Sequence, residues 1–368
     1  PPPPPPRPPP PPTQFDRRRQ RQMCIRDSII AGEVVGSASG MPFEEFLEER
    51  LLFPLGMTDC AATLGRTAKK ATRATPHVEV DGKLQTTLSL ESDVGAAAGG
   101  INCSARSMAL WSSFVLNKGK NAAGEQVVSE AQVEQLLKPV TVLPTRGYMA
   151  EHAGSFLSAY ALGWGVSTFY GQPSYSHGGG LWGMTTFLTI LPRQGLAVFV
   201  SNNKLSAAPR AVANDILDRF LSNVSPEAGK DWVGIVTDAM NSRSGDANDT
   251  VAEAESSRSP DSQPSLPLNA YVGTYRDPWY GEIFITLTDD DRLWFKSGRS
   301  EPLSGPLEHF QFDTFIARWT ERKYNNDAYV SFSLGAEGNI ERIRMKAVSP
   351  ATDFSFDFHD LDLVRVPE

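Results

Sequence analysis

The sequence predicts an α/β domain of the α+β kind, an antiparallel sheet covered by helices, followed by an all-β domain. Three observations carry this. Residues 29–222 mix helical periodicity with short β-branched runs. From Leu268 onward apolar and polar residues alternate at period two, in runs separated by turn formers. Residues 223–267 between them are rich in Ser, Asp, Glu and Pro and poor in large apolar groups, the composition of a linker. A chain of 368 residues is long enough for two domains, and 40 % hydrophobic against 21 % charged residues leaves enough apolar material for a sizeable core.

A net charge of -8 argues against a nucleic-acid binder held by phosphate contacts. No apolar run reaches the roughly 18 residues that span a bilayer, so no transmembrane segment is expected. Cys24, Cys60 and Cys103 are odd in number and far apart, so neither a metal pattern nor a disulfide framework is expected, and the redox compartment stays open.

In chain order, "PPPPPPRPPPPP" is low-complexity, and "RRRQRQMCIRDS" is basic, without period and without the apolar stretch of a secretion signal. The latter resembles the translated adapter tail that contaminates some assembled genes, and residues 1–28 are expected to be a disordered, non-native tail. Residues 29–35 look like the end of a helix. Phe43, Phe46, Leu47 and Leu51 share one helical face, with Pro42 at the start, Gly56 past the end, and Glu44, Glu45, Glu48 and Glu49 on a solvated face. Residues 58–98 read as loops and short strands. In "AAAGGINCSARSMALWSSFVLNKGK", Ser104 suits an N-cap, Met108, Trp111, Ser112, Val115 and Leu116 form a stripe, and Gly119 is a stop. Gly99 and Gly100 mark close backbone packing.

Strands are expected over 160–169, 185–191 and 196–200, the last two joined by a four-residue loop, Pro192 to Gly195. A helix over about 208–222 places Val212, Ile216 and Phe220 four apart, the stripe expected to cover one face of the sheet. A short helix at 232–240 interrupts the linker. Beyond it, Asp289 to Asp291 and Glu337 to Asn339 read as hairpin turns, and evenly spaced strands predict a small barrel or sandwich.

The stretch "YSHGGGLWGMTTFLTILPRQGLAVFVSNN" carries the chemistry. Glycines after His177 let bare backbone approach a ligand, with peptide N–H groups able to meet a developing oxyanion beside a titratable imidazole. An exposed glycine turn is the plain alternative. The oxyanion element of α/β-hydrolases needs a downstream G-x-S-x-G that is absent here.

With "AGEVVGSASGMPFEEFLEERLLFPLGMTD", "AAAGGINCSARSMALW" and "LGWGV", this stretch resembles the serine β-lactamase and penicillin-binding peptidase family over residues 29–222. The tail, "AYVGTYRD" through "LEHFQFDTFIARW", is similar to the small lipocalin-like β-barrel appended to some of these peptidases. The resemblance implies a β-lactamase/transpeptidase-like fold and a serine hydrolase working through an acyl-enzyme on D-amino-acid peptides, β-lactams or small esters, with no cofactor or metal. It implies a nucleophilic Ser and a Lys in S-x-x-K, a Tyr in Y-x-N, and a third motif, H-x-G, matched by His177, Gly178 and Gly179. His177 would bind the substrate carboxylate or join the proton network. The N–H of Gly180 would be one oxyanion donor, the nucleophile's own N–H the other. Gly178 and Trp182 would line the substrate.

S-x-x-K and Y-x-N are missing where the family spacing needs them, upstream of Ala31. Ser201 with Lys204 and Tyr324 with Asn326 match these patterns only in the wrong order. The expectation is an N-terminally incomplete and inactive domain, periplasmic or secreted by family habit, with self-association through the barrel. The second reading is a non-catalytic scaffold or binding relative. Trp164 is expected in core or cleft wall, and His77, His152, His309 and His359 without partners at metal spacing. The expected domains are a tail (1–28), a partial hydrolase domain (29–222), a linker (223–267) and a barrel (268–368).

Overall fold

The structure, a computed structural model, describes residues 14–80, 82–89, 95–181, 183–222, 229–353 and 355–367, with side chains from residue 25 onward. The chain divides into two compact units, Pro1–Met240 and Asn241–Glu368.

The first unit opens with α1 (Gln14–Ser39), so the described part of the expected tail is helical from Gln14; residues 1–13 lie outside the described residues. Gly32 marks where α1 crosses the turn at 96–100, because a Cβ there would meet the Ala97 Cβ at 2.7 Å. Next comes α2 (Phe43–Leu47), continued by a π-turn (Glu48–Leu52) that buries Leu47 and Leu52. The glutamate face is not wholly solvated. Glu48 is buried, accepting from Ala62 N at 3.0 Å and pairing both carboxylate oxygens with Arg66.

A hairpin, β1 (His77–Val80) with β2 (Lys83–Thr86), precedes α3 (Ala105–Leu116), whose N-cap Ser104 accepts from Ser107 N as expected. The cysteine expectation is corrected. Ala61 and Asn102 exchange two backbone hydrogen bonds, and this pairing sets Cys60 beside Cys103, which form a disulfide. The 43-residue separation hid the pair because only the fold brings the two loops together. Gly100 is closely packed, 2.9 Å from the Ala62 carbonyl at its Cβ position, whereas Gly99 meets no atom within 4 Å among the described residues.

After α4 (Glu130–Leu137) comes a six-stranded antiparallel sheet in sequence order, with α5 (Tyr148–Ala153) between its first two strands. The strands are β3 (Thr141–Val142), β4 (Ser158–Tyr160), β5 (Gly165–Phe169), β6 (Gln172–Leu181), β7 (Met184–Leu191) and β8 (Leu196–Asn202). The single strand expected over 160–169 is therefore two, because Ala161 N bonds the Trp164 carbonyl and turns the chain. Trp164 is buried in the core.

Both faces of the sheet are covered, not one. On one side Leu188, Ile190, Val166 and Ala159 pack with Leu52, Phe114, Val115 and Val133. On the other, Phe169, Phe187, Leu191 and Val198 pack with Ala213 and Leu217 of α6 (Ala208–Ser222) and with Trp232. The stripe expected to make this contact does not: Val212, Ile216 and Phe220 are 41 %, 40 % and 51 % exposed. Ala213 and Leu217, one position further along the helix, are the residues buried against the strands.

The expected linker contains α7 (Trp232–Ser256), 25 residues long rather than a short helix; residues 223–228 lie outside the described residues.

In the second unit, eight antiparallel strands close a barrel: β9 (Gly273–Asp277), β10 (Gly281–Leu287), β11 (Leu293–Ser297), β12 (Ser304–Gln311), β13 (Thr314–Ala317), β14 (Ala328–Leu334), β15 (Ile340–Ala347) and β16 (Asp362–Arg365). Both expected hairpin turns join neighbouring strands. Tyr271, Tyr275, Phe295, Phe315, Trp319 and Phe332 fill the interior, so this is a packed core. The barrel begins before Leu268, because Ser265 donates through its backbone N (2.9 Å) and its Oγ (2.7 Å) to Asp313.

Candidate active site

The glycine run sits on the C-terminal half of β6. The partner strand β5 reaches only as far as the pair Gly165–Ser176, while β7 pairs from Tyr175–Ile190 to Leu181–Met184. Residues His177 to Leu181 thus have a strand on one side only, and all five are exposed. Among the described residues this is an open sheet edge over the C-terminal half of a strand whose first half is paired on both sides.

Neighbouring groups account for each glycine in its own way. A Cβ on Gly179 would meet Thr186 Oγ1 of β7 at 2.6 Å, so a side chain there collides with the strand's own neighbour. At Gly178 the nearest atoms are the Phe187 ring at 3.6 Å and Arg210 Nη2 at 3.7 Å. The Arg210 guanidinium, near the start of α6, lies over the Phe187 ring at 4.2 Å from its centroid. Among the described residues it forms no ion pair. At Gly180 the Cβ position meets Leu205 at 3.4 Å, the one contact among the described residues. The result is a strip of backbone with a cationic group behind it.

The far end of the strip is pinned. Gly183 has φ +83, and its Cβ position is 2.7 Å from the His77 backbone N. That N donates to the Gly183 carbonyl at 3.2 Å and to the Asn203 carbonyl at 3.0 Å. Lys204 extends the clamp through an ion pair with Glu79. The sequence assigned His77 no role, and nothing local to it signals this one.

At the near end His177 meets Tyr160 of β4, its Nε2 3.4 Å from the tyrosine hydroxyl. The structure therefore brings His177, Gly178, Gly179 and Gly180 together on one edge, and adds Arg210 and Tyr160, which sequence reading missed. Trp182 lies outside the described residues.

Within the first unit, the stray match Ser201–Lys204 does not join this edge as a nucleophile. Ser201 ends a strand rather than starting a helix, and the Lys204 ammonium is held by Glu79. Tyr324 and Asn326 belong to the barrel unit, where the buried Asn326 carbonyl accepts from Trp319 Nε1 at 2.8 Å. Of the other histidines, His309 Nε2 lies 2.9 Å from the Phe312 carbonyl. His359 does have carboxylate neighbours, contrary to expectation: with Asp357 and Asp360 it forms a cluster within 4.8 Å, a consequence of three polar residues on one short turn.

Comparison with known proteins follows the same division. Residues 27–222 match the family described as Beta-lactamase, and residues 257–365 match a Domain of unknown function (DUF3471). The unguisins hydrolase ungD' of Aspergillus campestris (strain IBT 28561) is 26 % identical over 283 residues, 74 % of this chain and 50 % of that protein. The chain thus spans about half the length of this curated relative. Among solved structures, the octameric penicillin-binding protein homologue from Pyrococcus abyssi is 16 % identical, with a TM-score of 0.45 over 91 % of this chain and 62 % of that one. The D-amino acid amidase from Ochrobactrum anthropi SV3 is 18 % identical, with a TM-score of 0.43 over 54 % and 56 %.

Proposed function

Because the chain belongs to the beta-lactamase family, a family of serine hydrolases, we propose that its first unit forms the oxyanion- and carboxylate-binding side of an acyl-enzyme site. The open edge of β6 from His177 to Leu181 carries this reading. A substrate laid along it meets unshielded backbone, with the Gly180 N–H in the role of oxyanion donor. His177 works beside it as a polar partner for the substrate or the proton network. Arg210, a half-buried cation without an ion pair among the described residues, is placed to attract a substrate carboxylate. The substrates that fit are D-amino-acid peptides, β-lactams and small esters. The curated relative, by its name a hydrolase of unguisins, supports hydrolysis in general terms.

On this reading the stray match Ser201–Lys204 is not the nucleophile pair, since Ser201 lies near the end of a strand and the Lys204 ammonium is paired with Glu79. The second reading is a binding relative without turnover. Titration of the ¹⁵N-labelled chain with D-alanyl-D-alanine distinguishes the proposal from a plain glycine turn. Shifts confined to residues 177–180 and 210 are expected, and their absence at saturating dipeptide removes the site. A fluorescent penicillin is expected to leave no covalent label on a denaturing gel. A label that prior denaturation abolishes would overturn the absence of a nucleophile.

A further inference from the structure

We propose that Tyr160 is a positioning residue for His177, its hydroxyl donating to Nε2 and thereby selecting the imidazole's rotamer and tautomer. The inference rests on the H-x-G reading for its catalytic meaning, but its geometry stands apart. The register pairs Tyr160 with Gly165 and Gly165 with Ser176, so Tyr160 lies two strands from the residue preceding His177. Two strand spacings are roughly 10 Å, a gap that a tyrosine and a histidine reaching toward each other can close. Their polar atoms do meet, at 3.4 Å. The contact is reachable because β5 starts at Gly165 and leaves the space beside His177 without a strand.

Tyr160 is itself held on a rigid element. Its carbonyl accepts from Val140 N at 2.9 Å, and the next residue, Ala161, donates to the Trp164 carbonyl at 2.7 Å. Trp164 is buried in the core, and Leu162 N bonds the Leu136 carbonyl at the end of α4. The tautomer of a neutral imidazole is set by the hydrogen bonds that its two nitrogens make. A hydroxyl donating to Nε2 leaves the proton on Nδ1 and orients the ring, as is needed of a group that must face a reacting atom.

Long-range ¹H–¹⁵N spectra of the full chain, ¹⁵N-labelled at histidine, test this at a pH about two units above the ordinary histidine value of about 6.5. His177→Ala identifies the signal. The Nδ1–H tautomer is expected to dominate in the parent chain, and the Nδ1–H to Nε2–H ratio to fall about three- to tenfold in Tyr160→Phe, the shift that one net hydrogen bond sustains. An unchanged ratio in a folded Tyr160→Phe chain overturns the proposal. Should Tyr160→Phe lose its folded spectrum, 3-fluorotyrosine at position 160 keeps the ring while changing the hydroxyl's acidity, and an unmoved His177 Nε2 resonance then overturns it.

A double-mutant cycle on D-alanyl-D-alanine binding separates this idea from the reading it rests on. Tyr160→Phe should weaken binding in the parent and change nothing in the His177→Ala background. Additive losses overturn the positioning role and leave the H-x-G reading standing. Undiminished binding in His177→Ala sinks the H-x-G reading while the tautomer result keeps the hydrogen bond.

Discussion

Gly178, Gly179 and Gly183 lie within six residues of one another, yet their substitution should have three different outcomes. At Gly178 an added methyl makes ordinary contacts, so Gly178→Ala should change stability by no more than about 0.5 kcal/mol. At Gly179 it strikes Thr186 Oγ1, and Gly179→Ala should cost about 1–3 kcal/mol, most of it recovered when Thr186→Ala accompanies it. Gly183→Ala combines a left-handed φ with a backbone collision at His77 and should be the worst, about 3 kcal/mol or more. Urea melts of the three variants rank them, and a different order would show that the β6–β7 end is not packed as described. Glu48 offers a pH test at the same scale. Arg66 holds the Glu48 carboxyl below its ordinary value of 4.5, against the opposing effect of burial. A depressed folded value means the stabilisation is present above the unfolded value and is lost as pH falls through the folded one. Glu48→Gln should therefore cost about 1–3 kcal/mol near neutrality, and progressively less as pH falls below about 4.5, read from melts across that range.

At the scale of elements, α6 separates pattern from packing. Leu217 faces the sheet and is 1 % exposed, so Leu217→Ala should cost about 2–5 kcal/mol. Ile216, its neighbour in sequence, is 40 % exposed, and Ile216→Ser should stay within about 0.5 kcal/mol. Equal losses would mean that the helix sits rotated from the arrangement found here. The bridge between Cys60 and Cys103 closes a loop of 43 residues, for which chain entropy suggests roughly 3–4 kcal/mol. Reduction should lower the urea midpoint, and the Cys60→Ala, Cys103→Ala double variant should melt at that lower midpoint with no further response to reductant. Such a bond also fits an oxidising compartment.

For the whole molecule, the expectation concerns the barrel. Its own aromatic core is complete, and Asp313 ties residue 265 to it. A fragment of residues 257–368 should unfold cooperatively in urea. One starting at 268 should be weaker, having lost both Ser265 bonds to a carboxylate that the Tyr271 hydroxyl also approaches. A featureless melt of the longer fragment would rule out an independently folding unit. Asp313 is 48 residues from Ser265 and 42 from Tyr271 in sequence, which is why the alternating strands alone placed the start at Leu268.

Periodicity is a property of neighbouring residues, and what depends on neighbours was legible in the chain itself. The Ser104 cap, the stop near Gly119, the loop from Pro192 to Gly195 and the barrel hairpins all follow from local backbone preference. His177 to Gly180 stood out because a histidine and three glycines are chemically distinctive wherever they fall. What needed the third dimension was every choice between chemically similar options. Helical spacing could not tell Val212, Ile216 and Phe220 from the Ala213 and Leu217 side, because which side is buried depends on how closely the helix approaches the sheet. Composition marked residues 232–256 as part of a linker, although their helix buries Trp232 among side chains remote in sequence. Cys60 found Cys103, Glu48 found Arg66, and Tyr160 and Arg210 reached the glycine edge only once the chain had folded. Each of these pairings spans more than 15 residues, a distance over which sequence carries residue type but no direction.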